Sequence, residues 1–129
     1  MNYKMFIMPA IILMSTLSCL TKDIVHLKSK KDIDNVIKNN KMVIIDYHAE
    51  KTCGPCQQVA KFLPDLAKEF PDIQFAKVDV NEFDVEDIRS VPTFVFYNEQ
   101  KQVKRFTGSR SKSAFANIIN DTFCLSAKK

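Results

Sequence analysis

No tryptophan occurs among the 129 residues, and glycine occurs twice, as Gly54 and Gly108. That scarcity excludes a collagen-like chain and leaves few positions where the backbone can turn left-handed without strain. Arginine is nearly absent as well, with Arg89, Arg105 and Arg110 the only three among nineteen cations. Fifteen acidic residues are scattered between those cations, so the formal charge of +4 forms no continuous basic stripe. A nucleic-acid partner is therefore not expected. Of four cysteines, Cys19, Cys53, Cys56 and Cys124, three remain if the chain is cut beyond Cys19, an odd number that argues against a disulfide-dense scaffold. Long apolar runs are missing except for one, Met5 to Leu17, which is shorter than the roughly 20 residues that cross a bilayer. What remains, 46% apolar and 26% charged, has the composition of one compact domain.

The single apolar run has a meaning of its own. Lys4 precedes it, and Ser18 and Cys19 follow it, the layout of a secretory leader with a cationic start, an apolar middle and small residues at the cut. Residues 1–20 are expected to be a cleaved signal peptide and residues 21–129 the working domain, with no membrane span once the leader is gone. An uncleaved leader acting as an anchor, or a lipid on Cys19, is the alternative.

Beyond the leader, the apolar periodicity alternates between two kinds. Asp23 to Leu27 predicts a strand, and Ser29 followed by Asp32 resembles a capping box opening a helix with Ile33, Val36 and Ile37 on one face. Met42 to Ile45 is a continuous, β-branched run of the kind buried on both faces of a sheet. From Cys56, the positions Val59, Phe62, Leu63, Leu66, Ala67 and Phe70 keep helical spacing. Pro64 predicts a kink near Ala60 within one continuous helix. Ile73 to Val80 predicts a strand, Phe83 to Ile88 a short helix, and Thr93 to Tyr97 with Val103 to Thr107 a hairpin. A last helix after Ser111 presents Ala114, Phe115, Ile118, Ile119 and Thr122. The order implies an α/β fold: a central mixed β-sheet with helices on both faces.

Cys53-Gly54-Pro55-Cys56 sits between the Met42 strand and the amphipathic helix. At a helix start, unsatisfied N–H groups and the dipole favour an anion, so the first cysteine is drawn toward the thiolate that attacks disulfides. The second lies one turn on, close enough to bond to the first and resolve a mixed disulfide. Half of a zinc site, completed by His48 and Cys124, is the competing chemistry, but no second pair at that spacing exists. Cys124, near the end of the last helix, is expected to be a small, partly buried apolar residue.

Asp46, the CGPC motif, the strand Phe75-Ala76-Lys77-Val78-Asp79-Val80, Val91-Pro92-Thr93 and Gly108 together resemble the thioredoxin family over Met42 to Gly108 and, more weakly, over nearly all of the chain past the leader. The resemblance implies the thioredoxin fold. It also implies a nucleophile at Cys53, a resolving thiol at Cys56, a buried proton-accepting carboxylate at Asp46 and a neighbouring Lys77. Thr52, Gly54, Pro55, Val91, Pro92 and Gly108 would then border the extended client segment, with Pro92 as the family's cis-proline. Three departures stand out. Thr52 replaces the tryptophan that normally precedes the first cysteine, and His48 lies near a second such position. One extra residue separates Asp46 from Cys53, so that loop must bulge, and Pro64 falls about one turn later than the family's helix-kinking proline.

The expected activity is reduction of protein disulfides by dithiol exchange, with no cofactor and no metal. Its partners would be disulfide-containing clients and an electron donor such as a thioredoxin reductase, in a secretory or extracytoplasmic compartment where clients are unlocked during export. The alternative is a thioredoxin-fold interaction subunit of a larger, for example translocation, complex, in which turnover is secondary.

Overall fold

The computed structural model describes residues 23–125. The expected leader and Cys19 lie outside them. Five strands and four helices follow in the order β1 (Val25–Leu27), α1 (Lys30–Asn39), β2 (Met42–His48), α2 (Gly54–Ala60), α3 (Leu63–Glu69), β3 (Ile73–Asp79), β4 (Thr93–Asn98), β5 (Lys101–Thr107) and α4 (Lys112–Phe123). The sheet order is β1-β3-β2-β4-β5, with β3 parallel to β1 and β2, and the remaining pairs antiparallel. This is the mixed sheet the alternation implies. No helix among the described residues is long and apolar enough to cross a membrane.

Helices cover both faces because the central strands are apolar on both. Ile44, Phe75, Phe94 and Phe96 face α2, α3 and α4, where they meet Val59, Leu63, Leu66, Phe115 and Ile119. Val43, Ile45, Tyr47, Ala76, Val78 and Val95 face the other way, toward Ile33, Val36 and Ile37 of α1. Phenylalanine fills the first layer: Phe115 meets Phe94 edge-on at 4.9 Å between centroids, and Phe123 stacks on Phe96 at 5.7 Å. The Ser29 cap forms as its sequence predicts, with its hydroxyl accepting from the Asp32 amide at 3.1 Å while Asp32 accepts from the Lys28 amide at 3.0 Å.

Two expectations need correction. The helix after the cysteines is not one kinked rod but two helices separated at Lys61 and Phe62. Pro64 has no N–H to give the Ala60 carbonyl, and it sits in the first turn of α3, where that loss is harmless. Residues 83–88 form an irregular segment with a turn at Glu86 and Asp87, not a helix. Phe83, Val85 and Ile88 still pack on the α1 side of the sheet, but their spacing of two and then three is not a helical stripe. The Asp79 carboxylate turns the chain by accepting from the Asn81 amide, and the Arg105 guanidinium donates to the Asp87 carbonyl.

The hairpin between β4 and β5 turns at Glu99 and Gln100, both at positive φ (50° and 69°), the geometry of a type I′ turn built without glycine. The register slips between Phe96 and Tyr97, leaving Val103 as an extra residue in β5. All of β5 except Phe106 is exposed.

Candidate active site

Both cysteines are placed by the first turn of α2. Cys53 is the N-cap, in extended conformation (φ −112°, ψ 103°), and its Sγ accepts from the Cys56 amide at 3.1 Å. A donor aimed at that sulfur favours a thiolate there once the pair is reduced. Pro55, in the first turn, needs no hydrogen-bond partner for its nitrogen. In this structure Cys53 and Cys56 are joined as a disulfide, with 5.2 Å between Cα atoms. Cys53 is 7% and Cys56 4% exposed, whereas Gly54 and Pro55 between them are exposed. No group of three or more metal-ligating side chains occurs among the described residues.

The extra residue ahead of Cys53 is absorbed in a tight turn. Ala49 ends the buried run after β2, and its carbonyl accepts from the amides of both Thr52 (3.4 Å) and Cys53 (3.2 Å). Asp46 therefore stays within β2, while Glu50, Lys51 and Thr52 project as an exposed loop. Thr52 borders the dithiol, but it offers no aromatic surface.

Strand alternation puts Asp46 on the same face as Ile44, the face that carries α2. The carboxyl is 2% exposed, and its Oδ1 has no hydrogen-bond partner. Burial pushes it up to about 7, and the Lys77 ammonium, opposite it on β3, pulls only partly the other way. A group poised there can take a proton near neutrality and return it.

Next to Asp46 the sheet holds polar residues where a core would be apolar. Lys77 and His26 continue Asp46's row across β3 and β1, and His48 pairs with Asp79 in the next row. His26, His48, Lys77 and Asp79, with Glu50 and Glu82, line a cleft of about 320 Å³. His48 is buried in this row, and burial first, then Lys77, holds its imidazole toward the neutral form.

The segment just ahead of β4 brings Val91 to the disulfide. The Val91–Pro92 peptide bond is cis. Val91 packs against the cysteine cluster, and the Gly108 amide donates to the Pro92 carbonyl at 2.9 Å. Gly108 has φ +97°, which accounts for glycine at that position. Of the predicted residues, Val91 packs on the Cys53–Cys56 pair, Asp46 and Lys77 pair with each other across β2 and β3, and Gly108 is tied to Pro92. The structure adds Ala49 and Val80, whose side chains pack on the cysteines; their only sequence signal is an apolar residue just past the end of each central strand. Cys124 does not join them. It caps α4 in left-handed geometry and is free and exposed, not partly buried as expected, because the apolar stripe of α4 ends at Phe123.

The family model for Thioredoxin matches residues 23–121. Among similar proteins, a thioredoxin of Geodia cydonium is 44% identical over 99 residues, covering 72% of this chain and 92% of its own length. Thioredoxin-3 of Dictyostelium discoideum is 34% identical, covering 67% of this chain and 85% of its own length. Among solved structures, Plasmodium falciparum thioredoxin superimposes with a TM-score of 0.69 at 32% identity, over 76% of this chain and 98% of the other. Oxidised mitochondrial thioredoxin 3 of Saccharomyces cerevisiae gives 0.69 at 30% identity, over 76% and 94%.

Proposed function

Because the chain belongs to the thioredoxin family and is a thioredoxin-type disulfide oxidoreductase, we propose that it reduces client proteins through Cys53, with Asp46 as the proton acceptor for Cys56, in a secretory or extracytoplasmic compartment. The Cys53 thiolate attacks one sulfur of a client disulfide, forming a mixed disulfide and expelling the other client sulfur as a thiolate, which takes up a proton. Cys56 then gives its proton to the Asp46 carboxylate and attacks the Cys53 sulfur, which releases the second client thiol. Two electrons pass to the client, and the protein is left with the Cys53–Cys56 disulfide seen here. A reductase partner restores the dithiol.

The observation that carries this reading is the placement of Cys53 at the α2 cap on the face of the sheet that holds buried Asp46. Lys77 tunes that carboxylate from the neighbouring strand, while Thr52, Gly54, Pro55, Val91, Pro92 and Gly108 border the client segment. The compartment rests on the leader-like residues 1–20, and a reductant working there would unlock client disulfides during export.

Insulin reduction tests the chemistry. Wild type precipitates insulin chains in the presence of a dithiol donor, and Cys53→Ser does not. If the two behave alike, the protein is a thioredoxin-fold binding subunit and the proposal fails. Mass spectrometry of protein from its native source tests the compartment: a chain starting between Cys19 and Asp23 supports it, and an intact Met1 sinks it.

A further inference from the structure

Beside Gly108 lies a second cleft, of about 470 Å³, lined by Gln58, Lys61, Phe62, Ser109, Arg110, Ser111 and Lys112. Three of those side chains are cationic. Lys112 is already engaged, at 2.9 Å from Glu69 and 3.9 Å from Asp65. Arg110 and Lys61 are exposed and make no ion pair among the described residues.

Arg110 is held in place from behind. Its guanidinium lies over the Phe106 ring at 5.0 Å, and Nη1 donates to the carbonyls of Ser109 (3.0 Å) and Thr107 (3.5 Å). A Cβ on Gly108 would come within 3.3 Å of that same nitrogen. Arg110 therefore rests against the glycine whose amide binds the Pro92 carbonyl at the rim of the groove. The N–H groups on Nη2 and Nε have no acceptor among the described residues, and they are three of the five donors of the fork. A fork ordered before binding loses little freedom when it pairs with a carboxylate.

We propose that Arg110, seconded by Lys61, selects clients that carry an acidic side chain a few residues from the attacked cysteine. This rests on the disulfide-reductase reading above. Distance sets the spacing. Gln58 lies about 6 Å along α2 from Gly54, and an extended client segment advances about 3.3 Å per residue, so the carboxylate falls roughly two to four residues from the client cysteine. The carboxylates of Asp65 and Glu69, beside Lys112, close the far end of the cleft to a client anion and leave Arg110 as its partner.

The test uses the reduced full chain and a set of disulfide peptides that differ only by Glu or Gln at single positions two to five residues on either side of the cysteine. At low salt, at least one Glu peptide is expected to show a KM about three- to five-fold below that of its Gln counterpart, the size of an exposed, well-oriented ion pair. In Arg110→Gln, or at about 500 mM salt, that advantage is expected to vanish, with kcat and KM for the Gln peptide unchanged. Arg110→Lys should recover part of it, since charge without the fork pairs less well. Equal KM values at every position, or an equal loss on both peptides in Arg110→Gln, would overturn the selectivity while leaving the reductase reading intact. No turnover of the Gln peptide by wild type would overturn both.

Discussion

Asp46 and Lys77 are direct partners across the parallel β2–β3 ladder, and burial of the carboxyl outweighs the pull of the ammonium on its proton. The carboxyl thus stays largely protonated up to about pH 7 in the folded chain, whereas in the unfolded chain it ionises from 3.8. Between those values the unfolded state binds fewer protons, so stability falls as pH rises and levels off above about 7. At about 1.4 kcal/mol per pH unit the loss approaches roughly 4 kcal/mol.

Asp46→Asn should remove that decline. Urea unfolding at pH 5 and pH 8 is expected to show wild type losing a few kcal/mol between the two and the variant losing far less. Resolution of a trapped mixed disulfide should slow by at least about ten-fold, as expected where a positioned base is lost. A variant whose stability still tracks pH as wild type does would relocate the titrating group.

Reduced protein should react with iodoacetamide at neutral pH first at Cys53, because its sulfur receives the Cys56 amide at the helix cap. Cys124 should follow, being exposed without such a donor, and buried Cys56 last. Peptide mapping of partly alkylated protein gives the order, and Cys124 reacting first would reverse the nucleophile assignment.

Thr52→Trp should lower KM for a generic protein disulfide, since an indole on the exposed loop beside Cys53 adds apolar contact area at the docking rim. The reduction potential should move by less than about 30 mV, because the cap and Asp46 are untouched. An unchanged KM with a larger shift in potential would make position 52 a tuner of the thiols.

Phe115→Ala should destabilise the fold by about 3–5 kcal/mol. Its ring is fully buried and touches Phe62, Phe94, Phe96 and Phe106, so no neighbour can fill the space without breaking another contact. Phe115→Leu should recover most of the loss in the same denaturant titration.

The cap at Ser29 was legible in the sequence because a cap joins one side chain to an amide two or three residues on, and the helix starts at Cys53 and Ser111 were legible for the same local reason. So were the strands, whose apolar runs dictate burial wherever they pair. The segment after β3 was not, since Phe83, Val85 and Ile88 obtain their burial from the sheet beneath them and have no periodicity of their own. The burial of His48 has a related origin: the pairing of β2 with β3, not its neighbours in sequence, places it beside Lys77 and Asp79. Gly108 announces a left-handed turn, but the seating of the Arg110 guanidinium against it and over Phe106 is a tertiary contact that no residue pattern announces.

The two margins of the sheet carry a further consequence. On one side β1 offers three residues. On the other, β5 is long and open, but it presents Lys101, Lys104 and Arg105 and is broken by the extra residue at Val103. A strand from another molecule would find too short a ladder at the first margin, and a bent, positively charged one at the second. Two copies meeting along β5 would set cation against cation on a broken ladder, and β1 is too short to template a strand, so neither margin favours fusion of sheets between copies of this domain.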